Sequence, residues 1–219
     1  MTFPIPLRLA IFATAGFLAV LPFVLRNRRM GWGWLIALVW GGLSFYSIHL
    51  VQVPLQGKLQ RAIVGSDLAM WLRNFIIIAP SGVVQEFFKA LVPVILIAGG
   101  LRIGTDKKLF ASFAGVGFGL VESVLLVELL PVELGWIAII ERISTIFFHT
   151  ALTTIAVGGG KAGKIAWGLP LAMLAHSLVN FVAVFYMQKI GIVWIEVIIG
   201  VVALASWVLS IIFYSKGDK

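Results

Sequence analysis

Inside stretches apolar enough to cross a bilayer, this chain carries side chains that hold protons and metals: Glu86 with Lys89, Glu122, His149, and His176 with Asn180. A charge at mid-bilayer opposes insertion by roughly 2.5–3.5 kcal/mol. One such residue can snorkel toward the headgroups, but several spans with a polar group near the middle imply that those groups meet inside a bundle. Two neutral imidazoles and a carboxylate form a ligand set for zinc or another divalent ion and leave a position for an activated water. The same groups also serve acid–base chemistry, so both readings stand at this level.

Each motif has a local logic. Lys89 follows Gln85 by four residues and Glu86 by three, so all three share a helix face. The plain reading is a self-neutralising pair; the sharper one makes Glu86 a general base or metal ligand held by Lys89. Pro80-Ser81-Gly82, one turn earlier, can kink the helix and admit water or substrate. Nothing basic in its own span compensates Glu122, which therefore needs a proton, a cation from another helix or a metal. Nearby, Gly115, Gly117 and Gly119 permit close helix approach. Arg142, after Glu141, stands two turns before His149, with Thr145 and Thr153 on the same face. His176 and Asn180 are one turn apart, whereas His49, beside Tyr46, reads as an interfacial residue.

The elements that must position these groups are transmembrane helices. The chain is 61% hydrophobic and 12% charged, with a mean hydropathy of +1.07, which defines a multi-pass membrane protein. Regular strand alternation is missing, which argues against a membrane β-barrel. Cysteine is absent, so disulfides and thiolate metal sites are excluded. The net charge of +8 sits in short loops between spans, so topology explains it better than nucleic acid. About seven spans are expected, near 8–25, 31–53, 74–99, 108–131, 134–158, 165–187 and 192–214. The first reads as a retained span rather than a cleaved signal, since it ends in Arg26, Arg28 and Arg29 and lacks a cleavage site.

The segment 54–73 is expected to lie as an amphipathic helix at the interface. Ten loop Lys and Arg residues fall on one side, among them Arg28, Arg29, Arg102, Lys107, Lys161 and Lys216, against five on the other. That bias predicts an N-out, C-in all-α bundle in the cell membrane. One transmembrane domain over 1–219 is expected, its motif-bearing core at 74–187.

Taken in order, these motifs resemble the PrsW and YhfC families of intramembrane metalloproteases, within the superfamily of CAAX-prenyl and bacteriocin-processing enzymes. The family pattern is a Glu-Glu pair followed by Lys or Arg, then G-x-G-x-x-E, then E-R before a His, then H-x-x-x-N/D. Here Gln85-Glu86-Phe87-Phe88-Lys89, Gly117 to Glu122, Glu141-Arg142 with His149, and His176 to Asn180 are similar to it. The resemblance covers about 85–180 and implies a helical bundle that hydrolyses peptide bonds of membrane proteins or peptides. In that reading Glu122, His149 and His176 bind the ion or polarise the carbonyl, Lys89 and Arg142 orient carboxylates, and Asn180 stabilises the oxyanion. The superfamily also resembles the scaffold subunit of gamma-secretase, so a non-catalytic scaffold or binding role is the alternative; an ion-coupled transporter is a more distant one, disfavoured by the absence of an internal repeat.

One departure bears on activity. Gln85 stands where the family has the first glutamate of its pair, the residue thought to activate water. A neutral amide cannot take that proton at pH 7. Either Glu86 does the work, or the protein is a non-catalytic relative, or position 85 carries an inactivating Glu-to-Gln change, which the intact remainder of the pattern favours.

Overall fold

The computed structural model describes residues 4–27, 31–99, 106–127, 135–157 and 162–215. Among these the protein is helical, with no strand: α1 (Ile5–Arg26), α2 (Gly33–Ser44), a π-helical turn (Ile48–Gln52), α3 (Val53–Ile63), α4 (Met70–Ile78), α5 (Pro80–Ala98), α6 (Lys107–Leu126), α7 (Gly135–Val157), α8 (Ala162–Ile190) and α9 (Ile192–Ser215). Six stretches are long and apolar enough to span a bilayer: Ile5–Arg26, Gly33–Ile63, Met70–Leu96, Lys107–Leu126, Ile165–Ile190 and Ile192–Tyr214.

The seventh expected span is α7, whose 23 residues reach across a bilayer but whose composition sets it apart. Glu141, Arg142 and His149 dilute its hydrophobicity. Packing provides the reason this is tolerated: α7 contacts α1, α5, α6, α8 and α9 and so meets protein on most sides. Its second half, from Phe148 to Thr154, is buried without a break.

α6 is the other inner helix, buried continuously from Lys108 to Gly119. Asp106 caps it, its Oδ1 accepting from the backbone N–H groups of Lys108 (2.9 Å) and Leu109 (3.2 Å). The small residues expected to admit close neighbours do so on two sides. A Cβ on Gly115 would lie 2.5 Å from the His149 carbonyl oxygen of α7, and one on Gly117 would lie 2.1 Å from the Leu38 carbonyl oxygen of α2. Side chains larger than hydrogen are therefore barred where α6 meets both partners.

Apolar residues serve two solvents here. Phe12, Phe23, Phe110, Ile146 and their neighbours pack α1, α2, α6 and α7 together. Meanwhile Trp167, Leu171, Val193, Trp194, Val201 and Leu204 on α8 and α9 remain exposed. Large exposed apolar residues around a core that buries Glu86, Lys89, His149 and His176 match a helical bundle solvated by lipid.

Segment 54–73 differs from the single interfacial helix expected. It divides into α3, which continues the second span, and the start of α4, which leads into the third. Val64 turns extended and Gly65 takes φ +79°, a left-handed conformation that glycine adopts without penalty, so the helix cannot run through. Many of the loop residues behind the charge asymmetry, including Arg28, Arg29, Arg102, Lys161, Lys216 and Lys219, lie outside the described residues.

Candidate active site

Four helices bring the polar motifs to one place. α5 contributes Gln85, Glu86 and Lys89; α6 contributes Glu122; α7 contributes His149; α8 contributes His176. Glu86 and Lys89 are fully buried, His149 is 1% exposed and His176 3%. Only pairing makes such burial of charge sustainable.

The contacts form a continuous chain. Glu122 Oε2 lies 2.5 Å from His149 Nε2, His149 Nδ1 lies 2.8 Å from Lys89 Nζ, Lys89 Nζ donates to Glu86 Oε1 at 2.5 Å, and Glu86 Oε1 lies 2.7 Å from His176 Nδ1. An ammonium can only donate and a carboxylate only accept, which assigns the protons. His149 accepts at Nδ1 and donates Nε2–H to Glu122, while His176 donates Nδ1–H to Glu86. Aromatic rings wall the cluster: Phe118 lies 4.8 Å from Lys89 Nζ, and Phe148 packs edge-on against His176 at 5.5 Å between centroids. The two imidazoles are 5.1 Å apart by the same measure.

Other motif residues take different places. Asn180 Nδ2 donates to Ser81 Oγ at 2.7 Å, and Ser177 Oγ donates to the Ala79 carbonyl oxygen at 2.7 Å, tying α8 to the start of α5. Gly82 lets that join close, since a Cβ there would sit 2.3 Å from the Ser177 nitrogen. Glu141 and Arg142 pair with each other through two short contacts, and Thr145 Oγ1 donates to Glu141 Oε1 at 3.2 Å. Arg142 reaches α6 through its backbone oxygen, which accepts from Ser123 Oγ at 3.1 Å. His49 is exposed in the π-helical turn and outside the cluster.

Gln52 is the residue that sequence reasoning missed. It is buried at the end of the π-helical turn, and its Oε1 accepts from Gln85 Nε2 at 2.9 Å. Pro54 was the available signal. It lacks an N–H and its ring crowds the carbonyl four residues back, which is where the helix widens into π geometry and re-aims Gln52. A lone glutamine just before that proline, in an otherwise apolar run, marks the place.

Glu86, His149 and His176 can each offer one ligand atom, all within 4.8 Å of one another. One carboxylate and two imidazoles suit zinc and similar ions. Glu86 Oε2 is also buried with no hydrogen-bond partner among the described residues, as is Gln85 Oε1. A buried acceptor of that kind calls for a donor or a cation. The residues present fit a divalent ion, with Lys89 in contact with two of its three ligands.

No curated protein and no solved structure matches the chain. Residues 122–203, which begin at Glu122 and take in His149, His176 and Asn180, match the family model described as YhfC intramembrane metalloprotease, in agreement with the resemblance drawn from the motifs.

Proposed function

We propose that this protein is an intramembrane metallohydrolase of YhfC type that cleaves peptide bonds of membrane proteins, with its water-activating position held as an amide at Gln85. The observation that carries this reading is the group Glu86, His149 and His176, drawn from three helices to within 4.8 Å in the interior of a membrane bundle, together with the family match over 122–203. Those three residues would hold the ion, zinc or another divalent metal, with Glu86 in place of the Glu122 expected from the sequence, which meets His149 Nε2 instead. When bound, such an ion polarises a scissile carbonyl and lowers the pKa of water.

The remaining roles belong to the chain itself. Glu122 accepts from His149 Nε2–H and fixes that ring's orientation, in the manner of carboxylates behind metal-binding histidines. Arg142 with Glu141 supplies an ion pair on the same helix as His149, placed to orient carboxylates. Asn180 ties α8 to Ser81 and so sets the position of His176, one turn away; its amide would also supply a donor for an oxyanion. Exclusion of bulk water by Phe118 and Phe148 strengthens every charge interaction in the site.

One observation favours a non-catalytic scaffold as the second reading. Gln85 is engaged amide to amide with Gln52, a neutral arrangement that supplies no base. Gln85→Glu separates the two. Expressed with a panel of single-span membrane proteins, this variant should gain cleavage by about 10²–10⁴-fold, the usual weight of a general base. Adding His176→Ala should abolish it. A folded Gln85→Glu protein that cuts nothing, and that carries no metal by elemental analysis, would establish the scaffold reading instead.

A further inference from the structure

We infer that the Lys89 ammonium and a divalent ion are alternative occupants of one ligand set, and that Gln85 receives the ammonium when the ion binds. This rests on the metallohydrolase reading above. It goes beyond that reading in making occupancy an exchange between an internal cation and an external one.

The geometry leaves the ion no other nitrogen on His149. Nε2 is engaged by Glu122 Oε2 at 2.5 Å, so Nδ1 is the lone pair that remains, and Lys89 Nζ holds it at 2.8 Å. The same Nζ lies 2.5 Å from Glu86 Oε1, which also receives His176 at 2.7 Å. An ammonium and a metal bonded to the same His149 nitrogen would stand almost in contact, and with water excluded their repulsion is strong. One must leave when the other arrives.

Lys89 has somewhere to go. Gln85 precedes it by four residues on α5, so the two side chains share a face. Gln85 Nε2 is committed to Gln52 Oε1 at 2.9 Å, which turns the amide oxygen the other way. That oxygen is buried and has no hydrogen-bond partner among the described residues. A lysine stem has four flexible carbons and can swing from Glu86 to this acceptor. The Phe118 ring, 4.8 Å from Nζ, gives the ammonium a second favourable neighbour during the move. Gln52 thereby acts on the site without touching it, as the residue that orients the acceptor.

The test is a titration of the purified full chain with Zn²⁺ and with Co²⁺, following heat and, for cobalt, the visible absorption of the bound ion. Lys89→Met should tighten binding of both ions about tenfold or more, because no internal cation competes. Gln85→Leu should weaken it by a similar factor, since the ammonium loses its alternative partner. In the Lys89→Met background Gln85→Leu should have no effect. Equal, weaker or absent binding by folded Lys89→Met overturns the exchange, and an undiminished effect of Gln85→Leu in that background overturns the role of Gln85. If Lys89→Met does not fold, Lys89→Gln takes its place under the same criteria. Stoichiometric metal on the natural chain with no change in the lysine variant defeats this inference alone. No metal on either protein defeats it together with the metal part of the proposed function.

Discussion

Two of the polar groupings among the described residues are built on opposite principles. The central one joins Glu86, Lys89, Glu122, His149 and His176 across α5, α6, α7 and α8, through contacts between residues as far apart in sequence as 90 positions. The second is local: Glu141 and Arg142 are neighbours on α7, bonded to each other and to Thr145 one turn on. Glu86, Lys89, His149 and His176 of the first are buried, whereas Glu141 and Arg142 keep 11% of their side chains exposed, as Glu122 at the edge of the central group keeps 12%. Glu196 of α9 accompanies the second group, lining a depression of about 400 Å³ with Ile140, Val193 and Gly200. A local pair can neutralise itself in any fold; a dispersed one exists only when the bundle is assembled. The central group is thus both the costlier one to break and the one able to do chemistry.

Removing one central carboxylate should produce the largest effect. Glu86→Ala strands the Lys89 ammonium in a dry interior and should destabilise the protein by about 3–5 kcal/mol, read as a loss in thermal unfolding in detergent. Adding Lys89→Met should recover much of it. Next comes the close approach that brings α6 to its partners. Gly117→Ala places a Cβ 2.1 Å from the Leu38 carbonyl oxygen, a backbone atom that cannot yield, and should cost about 1–3 kcal/mol. Gly42→Ala, whose Cβ would meet a Val121 methyl at 3.1 Å, should cost less.

The peripheral group should be more forgiving. Glu141→Gln keeps an amide oxygen that can accept from Arg142 or Thr145 and so satisfies part of what Arg142 loses, and a loss of about 1–2 kcal/mol in the same assay is expected. A loss as large as that of Glu86→Ala would erase the contrast between the two groupings. Glu196→Gln should be smaller still, within about 0.5 kcal/mol, since Glu196 Oε2 has no hydrogen-bond partner among the described residues. The last variant should leave stability untouched and report only on orientation. The chain has no cysteine, so Lys107→Cys gives a unique thiol, and with the N-terminus outside it should resist an impermeant reagent in intact cells. Labelling there would reverse the topology.

Much of this architecture is legible in the sequence because it depends on local quantities. Hydropathy over some twenty residues gives the spans, and the expense of a charge in lipid tells which faces turn inward. Spacing of three and four residues puts Lys89 beside Glu86 and Asn180 beside His176. Gly115 and Gly117 announce a close crossing before any partner is known. What sequence could not decide is which groups touch across helices. That Glu122 takes Nε2 of His149 and leaves Nδ1 to Lys89 depends on the rotation and depth of three helices at once. That Asn180 reaches Ser81, and that a π-helical turn before Pro54 aims Gln52 at Gln85, depends on side-chain pairs 99 and 33 residues apart. The role of α7 as the hub of the bundle was likewise obscured, since the polar residues that packing shelters made it the least apolar of the expected spans. Period and hydropathy are properties of one helix, so sequence determined the parts; the pairing of particular atoms is a property of the packed bundle, so only the tertiary structure decided the site.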